Sequence, residues 1–244
     1  MNTLLNITEK YIEYCKTQKC LNSKTLKAYC TDLNQFIDFL NNPYINAISI
    51  SDIENYIGYL HRSFKPKTAK RKLATVKSFY TFLEYKDYIK NVVSSEIYAT
   101  WPEATIYANT LCILSFTLNR VFTEWYRNKG YDFTITSSTA FDQKWVYGRN
   151  IYENVDRIVD SVFANYLSRP GVKQPIFTSY CDGKRTTCNG LKQWGSKYLG
   201  DEGYSAIEII RYYYGEDMYI NTSETIAGVP YSWPGYDLTI GSSG

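Results

Sequence analysis

Few residues in this 244-residue chain have the types and spacing to do chemistry. There is one histidine, His61, which argues against mechanisms that need a histidine pair, histidine-rich zinc sites among them. Six cysteines fall three and three, at 15, 20 and 30 and at 112, 181 and 188. None makes a double C-x-x-C zinc spacing, and six in a chain of this length are no disulfide scaffold. Cys181 and Cys188 are close enough to join in an oxidising compartment, or to stand as two free thiols on a loop. Lys67, Lys70, Arg71 and Lys77 form a basic series that can track a phosphate backbone or can be a solvated cationic face. Five tryptophans, 101, 125, 145, 194 and 233, all lie in the second part of the chain. Flat indole faces stack on sugar rings, but buried tryptophan is ordinary core, and most of the five are expected there.

The elements that carry these residues divide by charge. Residues 1–90 hold 14 Lys/Arg against 8 Asp/Glu, a net of +6, and residues 91–244 hold 13 against 16, a net of −3. Such asymmetry suggests two modules with different partners, the first a polyanion. The first ninety residues read as four helices. One starts at Asn6 or Thr8 and runs to about Lys19. The second is capped by Ser23, carries Leu26, Tyr29, Leu33, Phe36, Ile37 and Leu40, and stops at Asn41-Asn42-Pro43. The third is capped by Ser51, and the fourth opens at Pro66. The apolar stripe of the fourth is Ala69, Leu73, Val76, Tyr80 and Leu83, with the basic series on the opposite face.

The second part reads as mixed. Helices are expected over 103–127, 152–167 and 205–214, the last capped by Ser205, and strands over 131–136 and 174–180. The polar loop from Cys181 to Arg185 suits the edge of a groove. The tail from Gly228 to the final Gly-Ser-Ser-Gly reads as a linker end. Apolar residues make up 44% and charged residues 21%, a globular composition. The longest apolar stretch, 110–118, is far short of the roughly 20 residues that span a bilayer. Glu9 and Glu13 stand where a signal peptide would carry its apolar core, so no export signal is expected.

The run KTLKAYCTDLNQFIDFL, then ISISDIENYIGYL, then KPKTAKRKLATVKSFYTFLEYKDYI resembles the N-terminal core-binding domain of phage-integrase and Xer-type tyrosine recombinases. The likeness covers about residues 5–90. It implies a SAM-like helical bundle and DNA contact from Lys67, Thr68, Lys70 and Arg71; Lys77 joins them on the basic face. A recombinase also needs arginines, an H-x-x-R element and a tyrosine nucleophile. Here His61 is followed by Arg62-Ser63-Phe64, so recombinase catalysis by this chain is not expected.

From Tyr88 onward the chain resembles the SpoIID/LytB family. The opening block maps onto Tyr88, Val92, Val93, Glu96, Trp101 and Pro102. A late block maps onto Gly190, Leu191, Gln193, Trp194, Gly195, Gly203, Tyr204 and Tyr213. The resemblance implies action on peptidoglycan by lytic transglycosylase chemistry. Glu96 would be the catalytic acid, and Trp101, Gln193 and Trp194 would be substrate-binding. A single carboxylate suffices: it protonates the glycosidic oxygen and then takes the proton of the attacking C6 hydroxyl, with no cofactor and no metal. Val92, Val93, Ile97 and Trp101 could desolvate Glu96 and raise its pKa. The chain departs from the family at Leu114-Ser115-Phe116, at Thr187-Cys188 and at Lys192.

The expectation is therefore an α+β chain: a helical integrase-like module over 1–90, a mixed SpoIID-like domain over 91–228, and a tail over 229–244. Three functional readings follow. They are a peptidoglycan-cleaving enzyme with an accessory DNA-binding bundle, a DNA-binding fragment of recombinase type without its catalytic domain, and a non-catalytic cell-wall binder. The first two ask for different compartments, cell wall or spore against cytoplasm.

Overall fold

The structure is a computed structural model that describes residues 3–17, 21–163, 165–172, 174–221 and 240–241. The chain divides at Leu83–Glu84 into two compact units. The tail expected from Gly228, with Trp233, lies outside the described residues apart from Ile240–Gly241.

The first unit holds α1 (Leu4–Thr17), α2 (Ser23–Leu40), α3 (Ile50–Ser63) and the start of α4 (Pro66–Glu96). This is the expected helical bundle, with the caps shifted. The N-cap of α2 is Asn22, not Ser23, and its side chain accepts from the Thr25 N–H. The N-cap of α3 is Ser49, not Ser51, in a reciprocal capping box with Asp52. Asn41 ends α2 in the left-handed region at φ 58°, a conformation asparagine tolerates. The core packs Leu4, Tyr11, Leu33, Phe36, Tyr56, Leu60 and Phe79. On α4 the buried stripe keeps Ala69 and Val76 but passes through Phe79 and Phe82, leaving Leu73, Tyr80 and Leu83 half-buried.

The second unit is α+β. It is built around α5 (Glu103–Phe122), which is buried on every side from Thr105 to Val121 apart from Tyr107. The sequence reads as a long amphipathic helix reaching residue 127. Instead α5 stops at Phe122, and a 3₁₀ turn follows at Arg127–Lys129. Around it lie α6 (Glu153–Val162), α7 (Gln193–Asp201) and α8 (Ala206–Tyr214). Ala108, Leu111 and Cys112 of α5 share a core cluster with Ile209 and Ile210 of α8.

Strands are short. They are β1 (Ile135–Thr136), β2 (Tyr166–Ser168), β3 (Tyr180–Cys181), β4 (Leu191–Lys192), β5 (Tyr219–Asn221) and β6 (Ile240–Gly241). They pair as parallel β1–β6, antiparallel β2–β5 and parallel β3–β4. The helix expected over 152–167 thus ends at Val162 and yields to β2. The strand expected over 174–180 shrinks to β3, and that expected over 131–136 to β1. The capping box of α8 is as expected, with Ser205 bonded to Glu208. Among the described residues no helix is long and apolar enough to cross a membrane.

Candidate functional site

In the first unit the candidate surface is the basic side of α4. Lys67, Lys70, Arg71 and Lys77 are exposed there and Thr68 is half-buried. The residue between them, Lys72, is buried, and the reason lies across the core on α2. Asp32 is fully buried and accepts from Lys72 Nζ at 2.9 Å, from Thr75 Oγ1 at 3.0 Å and from Arg71. This carboxylate anchors the first turns of α4. It holds the Arg71 guanidinium at the protein surface, its side chain still 46% exposed. Asp32 carries no motif, and nothing in the sequence marks it.

In the second unit the candidate site is a cleft of about 1080 Å³. Glu96, Trp101, Gln193 and Trp194 all line it. Glu96 is the last residue of α4, the negative pole of a helix and an unfavourable place for an anion. Burial raises its pKa, against three donors that favour the charged form. The Lys144 backbone N–H donates to Oε1 at 2.8 Å, the Tyr180 hydroxyl donates to Oε1 at 3.3 Å, and Gln193 Nε2 donates to Oε2 at 2.9 Å. Val92, Val93, Ile97 and Trp101 are all buried, as desolvation of this carboxyl requires.

Each donor is delivered by a separate piece of backbone. Lys144 follows Gln143, whose side chain is buried and bonded to the Tyr88 hydroxyl, the Thr117 hydroxyl and the Ile113 carbonyl. The same loop is strapped to α4 by Asn91, which bonds both the carbonyl and the N–H of Val146. Tyr180 stands in β3, and Gln193 directly follows β4. Those strands approach closely because Gly190 has no side chain: an added Cβ would lie 1.6 Å from the Ser179 carbonyl oxygen. Gly195 has a similar role, since its Cβ would lie 2.2 Å from the Tyr213 hydroxyl. Two residues of the late sequence block are thus accounted for, Gly190 by the approach of backbone and Gly195 by that of a tyrosine side chain.

The aromatic wall joins residues far apart in sequence. Trp101 and Trp194 meet edge to face at 5.0 Å between centroids, and exposed Tyr98 reaches both. Lys184 sits with its ammonium over the Trp194 ring, a cation–π contact. It comes from the loop closed by the Cys181–Cys188 disulfide. Within that loop Asp182 accepts the backbone N–H groups of Lys184, Arg185 and Thr186, which hold its pKa down to about 2. The loop lines the cleft, as expected.

The tryptophans are mostly not core. Trp101 is buried, Trp125 is exposed, and Trp145 and Trp194 are half-buried. Tyr180 and Lys144 had no signal in the sequence as partners of Glu96. They sit 84 and 48 residues from it, and a backbone donor leaves no trace in residue type. Among the described residues no group of three or more His, Cys, Asp or Glu could hold a metal ion.

Two family models match, in overlapping segments. Residues 8–86 match the phage integrase N-terminal SAM-like domain, and residues 76–165 match the stage II sporulation protein family, SpoIID. Their overlap falls within the single helix α4.

Among curated proteins, a tyrosine recombinase of Agathobacter rectalis is 38% identical over 111 residues, 46% of this chain and 36% of that protein. The tyrosine recombinase XerC of Staphylococcus saprophyticus is 34% identical over 84 residues, 33% of this chain and 28% of that protein. XerC of Oceanobacillus iheyensis is 30% identical over 94 residues, 37% of this chain and 31% of that protein. The chain spans about a third of the length of these relatives. No solved structure matches.

Proposed function

We propose that the N-terminal module, residues 1–90, binds duplex DNA through its phosphate backbone. The supporting observation is the set of exposed cations on α4, Lys67, Lys70, Arg71 and Lys77, in a segment similar to the core-binding part of tyrosine recombinases. Thr68 lies among them and supplies a neutral donor. Each lysine that neutralises a phosphate releases a counterion, so binding weakens with salt. Changing Lys67, Lys70 and Lys77 to Gln in the full chain should lower the slope of log affinity against log salt by about 3, at about 0.9 per contact. Fluorescence anisotropy on a duplex measures it, and an unchanged slope would remove these residues from the interface.

A second activity is favoured by a specific observation: the half-buried Glu96 carboxyl, held on three donors beside an aromatic wall. We infer that the module over 91–228 cleaves peptidoglycan glycan strands. In this reading Glu96 gives its proton to the glycosidic oxygen as that bond breaks. The C6 hydroxyl of the same sugar closes onto C1, and its proton passes to the Glu96 carboxylate, restoring the acid. Half-buried Trp194 offers the glycan the ring face that Lys184 does not cover, and Trp101 backs it edge to face at the cleft wall. The Cys181–Cys188 disulfide suits an oxidising compartment, as the cell wall would be.

Glu96→Gln should cut release of anhydro-ended sugars by about 10²-fold or more, read by mass spectrometry of soluble products. Pelleting with cell wall but no product from either form would instead make the module a non-catalytic binder.

A further inference from the structure

The three donors to Glu96 are not shared evenly between its two oxygens. Among the described residues, Oε1 takes both the Lys144 N–H and the Tyr180 O–H, while Oε2 takes the Gln193 amide alone. A carboxyl oxygen has two in-plane acceptor positions. Both positions of Oε1 are therefore filled, and Oε2 keeps one open. With the Tyr180 hydroxyl donating to Oε1, a carboxylic proton resides on the open position of Oε2, which makes Oε1 the carbonyl oxygen of the neutral acid. We propose that Tyr180 and Gln193 are positioning residues that orient the Glu96 carboxyl so that Oε2 carries and delivers the proton.

The inference rests on reading Glu96 as a proton donor. It adds which atom donates and what aims it. Gln193 suits the task because it is only 4% exposed. Its backbone carbonyl accepts from Ser196 Oγ at 2.6 Å, which ties the residue to the first turn of α7. Tyr180 is fixed by its neighbour: Cys181 pairs with Lys192 in the β3–β4 ladder, immediately before Gln193. Both residues thus hang from one pair of strands and reach opposite oxygens of one carboxyl. Neither is offered as a residue that touches the sugar.

The test reads the carboxyl itself and needs no substrate. In the full chain labelled with ¹³C at glutamate side-chain carboxyls, the resonance lost in Glu96→Gln identifies Glu96. Its titration midpoint should rise by about one pH unit, a tenfold change in ionisation constant, in Gln193→Met. It should rise by less in Tyr180→Phe, whose hydrogen bond is the longest of the three at 3.3 Å. Each variant removes a donor that favours the anion. Infrared difference spectra against Glu96→Gln at a pH below the midpoint place the proton. The carboxylic C=O stretch should move up in Tyr180→Phe, where Oε1 loses a donor, and stay in Gln193→Met. Midpoints unchanged in both variants, with folding verified by circular dichroism, overturn the proposal. So does a C=O stretch that moves only in Gln193→Met, which puts the proton on Oε1. If the midpoints and spectra move as expected but no glycan is cleaved, the positioning stands and the cleavage reading falls.

Discussion

Removing Asp32 should cost the N-terminal bundle a large share of its stability, although no residue near it in sequence suggests a special role. Asp32 is fully buried, and the Lys72 side chain opposite is 5% exposed. In Asp32→Leu the Lys72 ammonium stays buried without a counter-ion, a situation that costs about 3–5 kcal/mol. Arg71 also loses its partner, but its half-exposed guanidinium is solvated and adds little. A unit built on the residues up to Leu83 has a total stability of about 4–12 kcal/mol at 0.05–0.15 per residue, so the loss is a large share.

The control is the double change Asp32→Leu with Lys72→Met, because replacing both members of a buried pair by apolar groups is near neutral. It should regain most of what the single change loses. The assay is amide hydrogen exchange in α2 and α3 of the full chain, which reports the bundle apart from the second unit. A loss below about 1 kcal/mol, the worth of an exposed pair, would refute the reasoning. So would a double variant no more stable than the single.

Two further outcomes follow from the second unit. Burial would raise the pKa of Asp160, but the Lys86 and Lys90 ammonium ions overcome it and hold it at about 2, at 2.8 and 2.9 Å. A depressed carboxylate stabilises above its unfolded pKa of 3.8 and loses that stabilisation as pH falls toward about 2. Asp160→Asn should therefore cost about 2 kcal/mol near neutrality, and the two urea midpoints should converge in acid; a pH-independent gap would contradict this. Gly190→Ala drives a Cβ against the Ser179 carbonyl, so it should cost about 3 kcal/mol or more and shift the Glu96 titration by parting Tyr180 from Gln193. Wild-type thermal stability in that variant would show the strands can yield.

The sequence alone determined the helical bundle, because its signals are local. Apolar residues at helical spacing, Pro66 at a helix start and Asn41-Asn42-Pro43 at a helix end act within one or two turns. Even there the caps slipped by one or two residues, since Asn22 and Ser49 compete equally well with Ser23 and Ser51 for the same N–H groups. The continuity of α4 was not local. Its rings meet Phe36 and Tyr11 in one unit, while in the other its Lys86 pairs with Asp160 of α6, so the two ends of the helix answer to different partners.

The candidate site divides the same way. Glu96, Trp101, Gln193 and Trp194 could be named from their blocks, but only folding brought Gln193 to Glu96 across 97 residues. Tyr180, the Lys144 N–H and the Cys181–Cys188 pairing were likewise decided by the tertiary structure. A hydrogen bond or a disulfide depends on where two segments end in space. A carboxyl's working pKa depends on what surrounds it, and neither quantity is written in residue type or spacing.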